Sequence, residues 1–360
     1  MRLDEIIGMI PQSELDRAIE MIIARKPKAE GSKGSRALCP HCGSNGAIRY
    51  GKDRNGRQRY RCRCGRTFTE RTGSAFHHAR VSDEMLRKFL DLEFSGMTLS
   101  ELSYHTGLSV TTCHHLRRRL QRACLDYVEG SIRLSGTVQV DSSYTKINLK
   151  GTKGCDMPRK SKRRGNGAQY SGISHHKVCI SAAIDENDNC IMAVTGLGPE
   201  SAEKYSFLRK YLKDVTTVVS DSKPSIRMLS NSIGAESDMI RPVPAKDGRT
   251  YVPENAKRHV TPSGRHIQDL NELVKCIKDQ IRTRHGMSTR YLNDWLAFLC
   301  VRKMFHYRYK RCDIAEKLME IMAASPHAGN AAIAATPQPV SLKQAYWDYH
   351  YGIFNDSTNT

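Results

Sequence analysis

Thr137-Val138-Gln139-Val140-Asp141 decides how this chain is interpreted, together with a second stretch of the same kind, Thr216-Thr217-Val218-Val219-Ser220-Asp221. Each is a short β-branched run that ends in an aspartate, and such runs are typical of buried strands. One aspartate after a strand is commonly a turn cap, but two of them in a basic chain indicate a shared site. If the two strands are neighbours in a sheet, the carboxylates of Asp141 and Asp221 converge and can hold divalent metal ions.

The composition is that of a folded, strongly basic protein. Hydrophobic residues make up 39% of the 360 residues, which is enough for a core and for two or three domains. Lysine and arginine number 57 against 37 acidic residues, so the formal charge is +20 and we expect a polyanionic partner such as nucleic acid. Much of this charge lies between Lys33 and Arg80, a segment with very few acidic residues.

No stretch reaches the ~18 to 20 uninterrupted apolar residues of a membrane span, and the N-terminal sequence does not have the pattern of a signal peptide. We therefore expect a cytoplasmic protein without a membrane partner. Of the 12 cysteines, four stand in metal-ligand spacing. The others are scattered through apolar segments, which indicates free thiols in a reducing compartment.

The four grouped thiols occur in Cys39-Pro40-His41-Cys42 and Cys62-Arg63-Cys64. Four thiolates on two tight turns suit one tetrahedral zinc ion, and a segment this polar needs such a metal to fold. Because the second turn is C-x-C rather than the commoner C-x-x-C, His41 is an alternative ligand. We expect the zinc to be structural. Among the arginines that surround the turns, the predicted DNA contacts are Arg57, Arg59 and Arg61, although a solvated charged face is the alternative.

A helix-turn-helix is predicted immediately downstream. Thr98 and Glu101 match a capping box, Gly107 ends the first helix, and Ser109 can cap the second. Plain packing of three helices is the alternative. If the second helix reads DNA, the side chains it presents as contacts are Thr111, Thr112, His115, Arg117 and Arg118.

A two-metal site usually needs a third polar residue from a later helix, and residues 266–281 are the candidate. A helical projection places an apolar stripe on one face, with Asn271 and Lys278 together on one border of it and Asp269 on the other. Glu272 points away from the core. As the third site residue, the projection favours Asn271, with Lys278 beside it, and places Asp269 second. The choice among Asn271, Asp269 and Glu272 stays open.

These residues together resemble the bacterial insertion-sequence transposases of the DDE superfamily, in the group with an N-terminal zinc ribbon. The resemblance covers most of residues 35–300 in the family order. Its segments are CPHC through GRTF, the helix-turn-helix, VQVDSSY, VVSD, HIQDLNELVKCIK and GMSTRYLNDWL. It implies an α/β fold, with an RNase H-like catalytic domain preceded by a zinc ribbon and a helix-turn-helix.

In that group an asparagine commonly replaces the third acidic residue, with a lysine seven positions later. The resemblance therefore implies that Asp141 and Asp221 bind Mg2+ or Mn2+, that Asn271 completes the site, and that Lys278 contacts the end of the element. The C-x-C turn and the basic insertion between Lys153 and Arg164 depart from the family pattern.

The implied activity is that of a transposase, which binds the terminal inverted repeats of its own element and cleaves and joins DNA with two metal ions. We expect double-stranded DNA as the partner, a homodimer or higher assembly on that DNA, and a location at the bacterial nucleoid. The rivals are a metal-dependent nuclease without strand transfer and a non-catalytic DNA-binding regulator. The predicted organisation is an arm (1–32), a zinc ribbon (33–80), a helix-turn-helix (81–128), a catalytic domain (129–323) and a C-terminal segment (324–360).

Overall fold

The computed structural model describes residues 37–151, 172–240, 243–244, 250–251, 260–326 and 329–342. The chain divides into two compact units, residues 1–70 and 71–360. The predicted N-terminal arm and the basic insertion between Lys153 and Arg164 lie outside the described residues, as does the end of the chain beyond Leu342.

In the first unit, four short strands form one antiparallel sheet in sequential order. They are β1 (Ala37–Leu38), β2 (Asn45–Lys52), β3 (Gln58–Arg61) and β4 (Thr67–Phe68). Among the described residues of this unit, the buried core consists of Cys39, Ala47, Cys62 and Phe68, with Tyr60 stacked on Phe68 at 5.4 Å between ring centroids. A core this small does not stabilise a fold without a crosslink or a metal, as expected from the sequence.

A five-stranded sheet forms the centre of the second unit. Its strands are β5 (Leu134–Lys146), β6 (Lys177–Asp185), β7 (Cys190–Leu197), β8 (Leu212–Asp221) and β9 (Glu236–Ile240). Their spatial order is β7-β6-β5-β8-β9; β6 is antiparallel to both of its neighbours, whereas β8 is parallel to β5 and β9. This order and these directions are those of the RNase H-like fold, which confirms the predicted fold class. Two short strands, β10 (Val243–Pro244) and β11 (Thr250–Tyr251), pair separately.

In the described part of the chain, three helices precede the five-stranded sheet: α1 (Asp83–Phe94), α2 (Leu99–Thr106) and α3 (Val110–Ser131). The capping box predicted at Thr98 and Glu101 is present, and α2 ends at Gly107, whose φ of 69° lies in the left-handed region. The Ser109 side chain accepts a hydrogen bond from the backbone N–H of Thr112 and so begins α3. The predicted start and end of α2 and the predicted start of α3 are confirmed.

These helices and the sheet share one hydrophobic core. Leu86 of α1 and Leu120 of α3 belong to the same buried cluster as Val138 of β5 and Ile180 of β6. The predicted boundary between residues 128 and 129 falls inside α3. The helix pair is therefore part of the same compact unit as the sheet rather than a separately packed domain.

Six further helices lie among the described residues, with a 3-10 turn after the first and another before the fourth. They are α4 (Ala202–Ser206), α5 (Pro224–Ile233), α6 (Gln268–Thr283), α7 (Leu292–Arg308), α8 (Ile314–Ala324) and α9 (Asn330–Ala334). Helix α6 packs on β5 and β6 and buries the predicted apolar stripe, including Leu270, Leu273 and Ile277. Helix α7 is apolar on most sides because it packs between α3 and β7. No helix in the described part of the chain has the length and apolar character needed to cross a bilayer.

Candidate functional site

The two aspartates occupy equivalent positions on neighbouring parallel strands. Val138 pairs with Val218 and Gln139 with Val219, and Asp141 and Asp221 each lie two residues beyond the second of these pairs. Because side chains alternate across a strand, residues two apart share a face. Asp141 and Asp221 therefore lie on the face of the sheet that carries Gln139, as the sequence predicted for neighbouring strands.

A lysine ammonium group lies among the acidic side chains. Lys223 Nζ is 2.5 Å from Asp141 Oδ1 and 3.5 Å from Glu200 Oε1. Burial lowers the pKa of Lys223, but the carboxylates of Asp141, Glu200 and Asp221 outweigh burial and raise that pKa above its ordinary value. The group is consequently a stable cation within an acidic cluster.

Lys223 and Glu200 are site residues that sequence reasoning missed. Lys223 follows Asp221 in a turn closed by its own N–H and the Asp221 carbonyl, and Pro224 at the first position of α5 continues that turn. The Glu200 backbone N–H donates to the Tyr144 hydroxyl at 3.2 Å, which fixes the segment before α4 against β5. The Lys-Pro pair that follows the strand aspartate was the available signal for Lys223.

Helix α6 is attached to the same face of the sheet through Gln139. Gln139 Nε2 donates to Asp269 Oδ2 at 2.8 Å, and the Leu270 N–H donates to Gln139 Oε1 at 3.1 Å. At the same end of the helix, buried Ile267 packs with Val219 and Ile240. These contacts bring the first turn of α6 beside the strand that carries Asp141.

The three candidates for the third site residue have different surroundings. Asp269 is held by Gln139 and lies 3.5 Å from His266 Nδ1. Asn271 is half-buried one turn into the helix. Glu272 is 61% exposed and forms an ion pair with Lys303 of α7, so it lies away from the acidic cluster. Lys278 is exposed further along α6.

The acidic cluster fits a divalent cation. Carboxylate oxygens are the donors that Mg2+ and Mn2+ prefer, and two strands together with the segment before α4 supply them here. The Lys223 ammonium already occupies a cation position between Asp141 and Glu200. The donor set is therefore suited to hold the metal ions that the sequence predicts.

The four predicted zinc ligands come together in the first unit. Their sulfur atoms all lie within 4.8 Å of one another, with Cys39 3.8 Å from Cys64 and Cys42 3.5 Å from Cys62. A tetrahedral zinc site with Zn–S bonds of about 2.3 Å has sulfur–sulfur edges of about 3.8 Å. The sulfur positions could therefore hold one zinc ion, and the C-x-C turn brings Cys64 close enough to participate.

Local turns place these sulfurs. Gly43 and Gly65, with φ of 70° and 85°, follow the two cysteine turns, and the backbone N–H of each donates to the carbonyl of the first cysteine of its turn. Ser44 Oγ is 3.2 Å from Cys42 Sγ and 3.1 Å from Cys62 Sγ. Hydrogen bonding to Ser44 lowers the pKa of Cys62 to about 6, which favours the thiolate form that binds metals.

His41, the alternative ligand, does not belong to this group of four. Its Nδ1 atom lies 3.4 Å from a guanidinium nitrogen of Arg66.

One face of the first unit presents cations beside an exposed aromatic ring. The Arg59 and Arg61 guanidinium groups lie 5.6 and 5.3 Å from the ring centroid of Tyr50, which is 45% exposed. Arg57 differs, because its side chain is only 9% exposed and pairs with Asp53 at 3.7 Å. Arg59 and Arg61 are thus better placed than Arg57 to reach an external phosphate.

The predicted DNA-contacting residues of α3 fall into two groups. Thr111 is exposed, and Thr112 and His115 are half-buried near the start of the helix. Arg117 is buried: its guanidinium donates to Glu93 Oε2 at 2.7 Å and to the Met97 carbonyl. Arg118 stacks on Tyr291, with its guanidinium carbon 3.8 Å from the ring centroid. The two arginines therefore have partners inside the protein, unlike the exposed Thr111.

No family model matches this chain. Among solved structures, the Mos1 strand transfer complex is 16% identical, covers 70% of this chain and 80% of its own, and has a TM-score of 0.27. A simian T-cell lymphotropic virus intasome bound to the PP2A regulatory subunit B56 gamma is 9% identical, covers 68% and 74%, and also has a TM-score of 0.27. TM-scores this low do not assign a fold or a function to this chain.

A curated relative gives a sequence match. Over 137 residues the chain is 34% identical to the "Uncharacterized protein in transposable element ISH50" of Halobacterium salinarum. The match covers 36% of this chain and 44% of that protein, so the chain spans less than half the length of the relative. Over about a third of its own length, this chain is similar to a protein of a transposable element.

Proposed function

We propose that this protein is a DNA transposase that cleaves and joins DNA at the acidic cluster of the five-stranded sheet. The observation that carries this proposal is the placement of Asp141 and Asp221 at equivalent positions of adjacent parallel strands, with Lys223 held as a cation between Asp141 and Glu200. The similarity to a protein of a transposable element supports the same reading.

Each residue at or near the acidic cluster has a distinct role in this proposal. Asp141 and Asp221 are the carboxylates that would hold Mg2+ or Mn2+, with Asn271 as the third residue. Two such ions stabilise the attacking and leaving oxygens of an in-line phosphoryl displacement. Gln139 positions the first turn of α6 by bonding Asp269 and Leu270. Exposed Lys278 lies further along the same helix, where its ammonium group can contact a DNA phosphate.

The chemistry consists of two displacements at phosphorus. Water first displaces a 3′ oxygen at each end of the element, which breaks one phosphodiester bond and leaves a free 3′ hydroxyl. That hydroxyl then attacks a phosphodiester of target DNA, so one bond forms as another breaks and no external energy source is needed. Because two ends must be joined together, the working species is a homodimer or a higher assembly.

The first unit and the start of α3 supply DNA contacts in this proposal. Arg59 and Arg61 beside Tyr50 would contact phosphates, and Thr111, Thr112 and His115 would face the bases of the terminal inverted repeats. Zinc bound by the four cysteines would hold the first unit in shape. Arg57 and Arg117 contribute less directly, since each pairs with a carboxylate within the protein.

Two alternative functions are compatible with the same structural features. A metal-dependent nuclease would cut the DNA without joining it, and a regulator would bind the DNA without cutting it. The acidic cluster favours the enzymes over the regulator, because a regulator has no need of carboxylates gathered around a half-buried cation.

The test is strand joining on oligonucleotides that carry the DNA flanking the gene, in Mg2+, with the unmodified chain, Asp141→Asn, Asp221→Asn and the control Glu272→Gln. Glu272 is a matched acidic residue on α6 that pairs with Lys303 away from the cluster. We expect joined product with the unmodified chain and the control only, while all four proteins bind the DNA in a gel shift. Cleavage without joining would identify the nuclease, and binding without cleavage by the unmodified chain would identify the regulator.

A further inference from the structure

A cavity of about 580 Å³ opens in the second unit, away from the acidic cluster. Its walls come from α3, from the segment after α6, from the first turn of α7 and from α9. Pockets that bind small organic molecules span about 300 to 1,000 Å³, so this one can receive a group much larger than a single ion.

Cations that form no direct ion pair with a described residue line this cavity. Among the described residues, Arg118, Arg284 and Lys150 form no ion pair, whereas Arg117 in the same wall is neutralised by Glu93. Burial lowers the pKa of both Arg118 and Arg284, and the nearby charges of Asp294 and Glu93, respectively, oppose that shift without reversing it. Positive charge that is partly removed from water is stabilised by a further anion in direct contact.

An unpartnered hydroxyl lies in the same wall. Ser288 is 6% exposed, lines the cavity, and its Oγ atom has no hydrogen-bond partner among the described residues. Buried hydroxyl groups are normally hydrogen-bonded, and a group left unpaired indicates a missing partner. A phosphate oxygen beside Arg118 and Arg284 would supply the acceptor for this hydroxyl.

The rest of the lining suits a planar apolar group rather than a second anion. Leu99, Met287, Trp295 and Ile333 contribute apolar surface, and His115 contributes a ring. Guanidinium planes and aromatic rings are the usual stacking partners of unpaired bases. A nucleotide carries both a phosphate and a base, joined through its sugar, and so matches both parts of the lining.

Helix α6 connects this cavity with the acidic cluster. The helix has 16 residues, so it is about 24 Å long, with Asp269 in its first turn and Arg284 directly after its last. The segment after α6 is fixed to the end of β5, because the Thr289 N–H donates to the Asn148 carbonyl at 2.9 Å. At about 3.4 Å per nucleotide, a stacked strand crosses that length in roughly seven nucleotides.

We propose that the cavity binds one nucleotide of a DNA strand, with the phosphate held by Arg118, Arg284 and Ser288, roughly seven nucleotides from the bond at the acidic cluster. This inference rests on the proposed function in taking DNA as the ligand and the acidic cluster as the place of cleavage. A free mononucleotide carries the same chemistry, so the experiment separates the two sources.

Trp295 provides a local signal, since it lines the cavity and has the Arg284 guanidinium 4.6 Å from its ring centroid. The chain has two tryptophans, and Trp347→Phe in the full chain leaves Trp295 as the only one. We would titrate this protein with single-stranded (dA)12, with dAMP and with inorganic phosphate while recording its emission. The oligonucleotide should change the emission saturably, with a half-saturating concentration at least tenfold below that of dAMP or phosphate.

Substitutions then test the assigned contacts. Arg118→Gln and Arg284→Gln should each raise the half-saturating concentration of (dA)12 at least tenfold, and Ser288→Ala, which is the variant least disruptive to folding, should raise it severalfold. The matched control is Arg87→Gln, an exposed arginine of α1 that pairs with Glu316. Circular dichroism of each variant verifies that it has folded.

Three results would overturn the assignment. The first is unchanged Trp295 emission at (dA)12 concentrations that saturate binding in a gel shift. The second is equal half-saturation by dAMP, which indicates a free-nucleotide site, and the third is equal half-saturation by phosphate, which indicates an anion site only. Asp221→Asn should leave the emission response intact, so loss of strand joining and loss of this site are separate outcomes.

Discussion

The ammonium group of Lys223 lies 2.5 Å from Asp141 Oδ1, although 82 residues separate them in the chain. Glu200 holds the same ammonium from a third segment at 3.5 Å. A lysine in this position offsets part of the negative charge of the acidic cluster, and under the proposed function it would compete with a metal ion for Asp141.

Removal of that ammonium should strengthen metal binding. Lys223→Met leaves Asp141 and Glu200 without their cation, so we expect the dissociation constant for Mn2+ to fall about tenfold, or ~1.4 kcal/mol. Calorimetric titration measures it, with Lys210→Met as the control because Lys210 pairs with Glu129 on the surface. An unchanged dissociation constant would mean that Lys223 does not compete for the metal-binding carboxylate.

The third site residue can be identified on α6. We expect Asn271→Ala to lower the rate of DNA cleavage about 10²-fold, the scale on which one lost polar contact to a reacting centre acts. Asn271→Asp should retain much of the rate, because a carboxylate can also serve as a metal ligand. If Asp269→Asn lowered the cleavage rate and Asn271→Ala did not, Asp269 would be the third residue. Glu272→Gln is the control and should leave the rate unchanged.

The cysteine cluster should bind one zinc ion whose loss unfolds the first unit. Cys64→Ser removes a thiolate, and we expect zinc affinity to fall by more than the ~10- to 100-fold that loss of a group hydrogen-bonded to a ligand costs. Zinc content and protease sensitivity near residues 37–70 report the effect. Cys312→Ser is the control, an exposed free thiol in the second unit. Full zinc content in Cys64→Ser would exclude Cys64 as a ligand.

Arg117 should matter for stability rather than for DNA affinity. Glu93 is completely buried, and burial raises its pKa despite the opposing charge of Arg117. Arg117→Met leaves that carboxyl without its partner, so we expect a loss of about 3–5 kcal/mol in the free energy of unfolding. Denaturant unfolding followed by Trp295 fluorescence measures it. The double variant Glu93→Leu with Arg117→Met should regain most of the lost unfolding free energy. If that stable variant bound DNA much more weakly than the unmodified chain, Arg117 would be a DNA contact after all.

Asp294 should make the second unit less stable as the pH rises. Burial raises the pKa of this carboxyl from 3.8 to about 6, even though Arg122 lies 3.2 Å away. A raised folded-state pKa means that the folded protein holds the proton more tightly, so this contribution is complete below pH ~4 and is lost as the pH rises through ~6.

Relative to Asp294→Asn, the unmodified chain should therefore lose about 3 kcal/mol of unfolding free energy between pH ~4 and ~7. Denaturant unfolding at several pH values measures the difference. Asp279→Asn, an exposed residue paired with Arg282, is the control. A constant difference between the two proteins across this range would contradict the assignment to Asp294.

Local chemistry in the sequence was sufficient for several elements. Thr98 with Glu101, Gly107 and Ser109 set the ends of α2 and the start of α3, because capping involves only neighbouring backbone groups. The β-branched runs before Asp141 and Asp221 became adjacent parallel strands, since such runs are buried most easily in the middle of a sheet.

Tertiary structure decided which polar groups meet. Gln139 binds Asp269 across 130 residues, Lys223 binds Asp141 across 82, and Arg117 turns inward to Glu93 across 24. Periodicity indicates the face of a helix on which a side chain lies. It does not identify which residue of another element contacts that side chain. The sequence by itself thus determined the strands, the helix ends and the cysteine turns, all set by nearby residues. Only the tertiary structure decided the rest: the pairing of β5 with β8 placed Lys223 beside Asp141, and the packing of α3, α6, α7 and α9 formed the cavity. These contacts join groups distant in the chain, which local sequence does not specify.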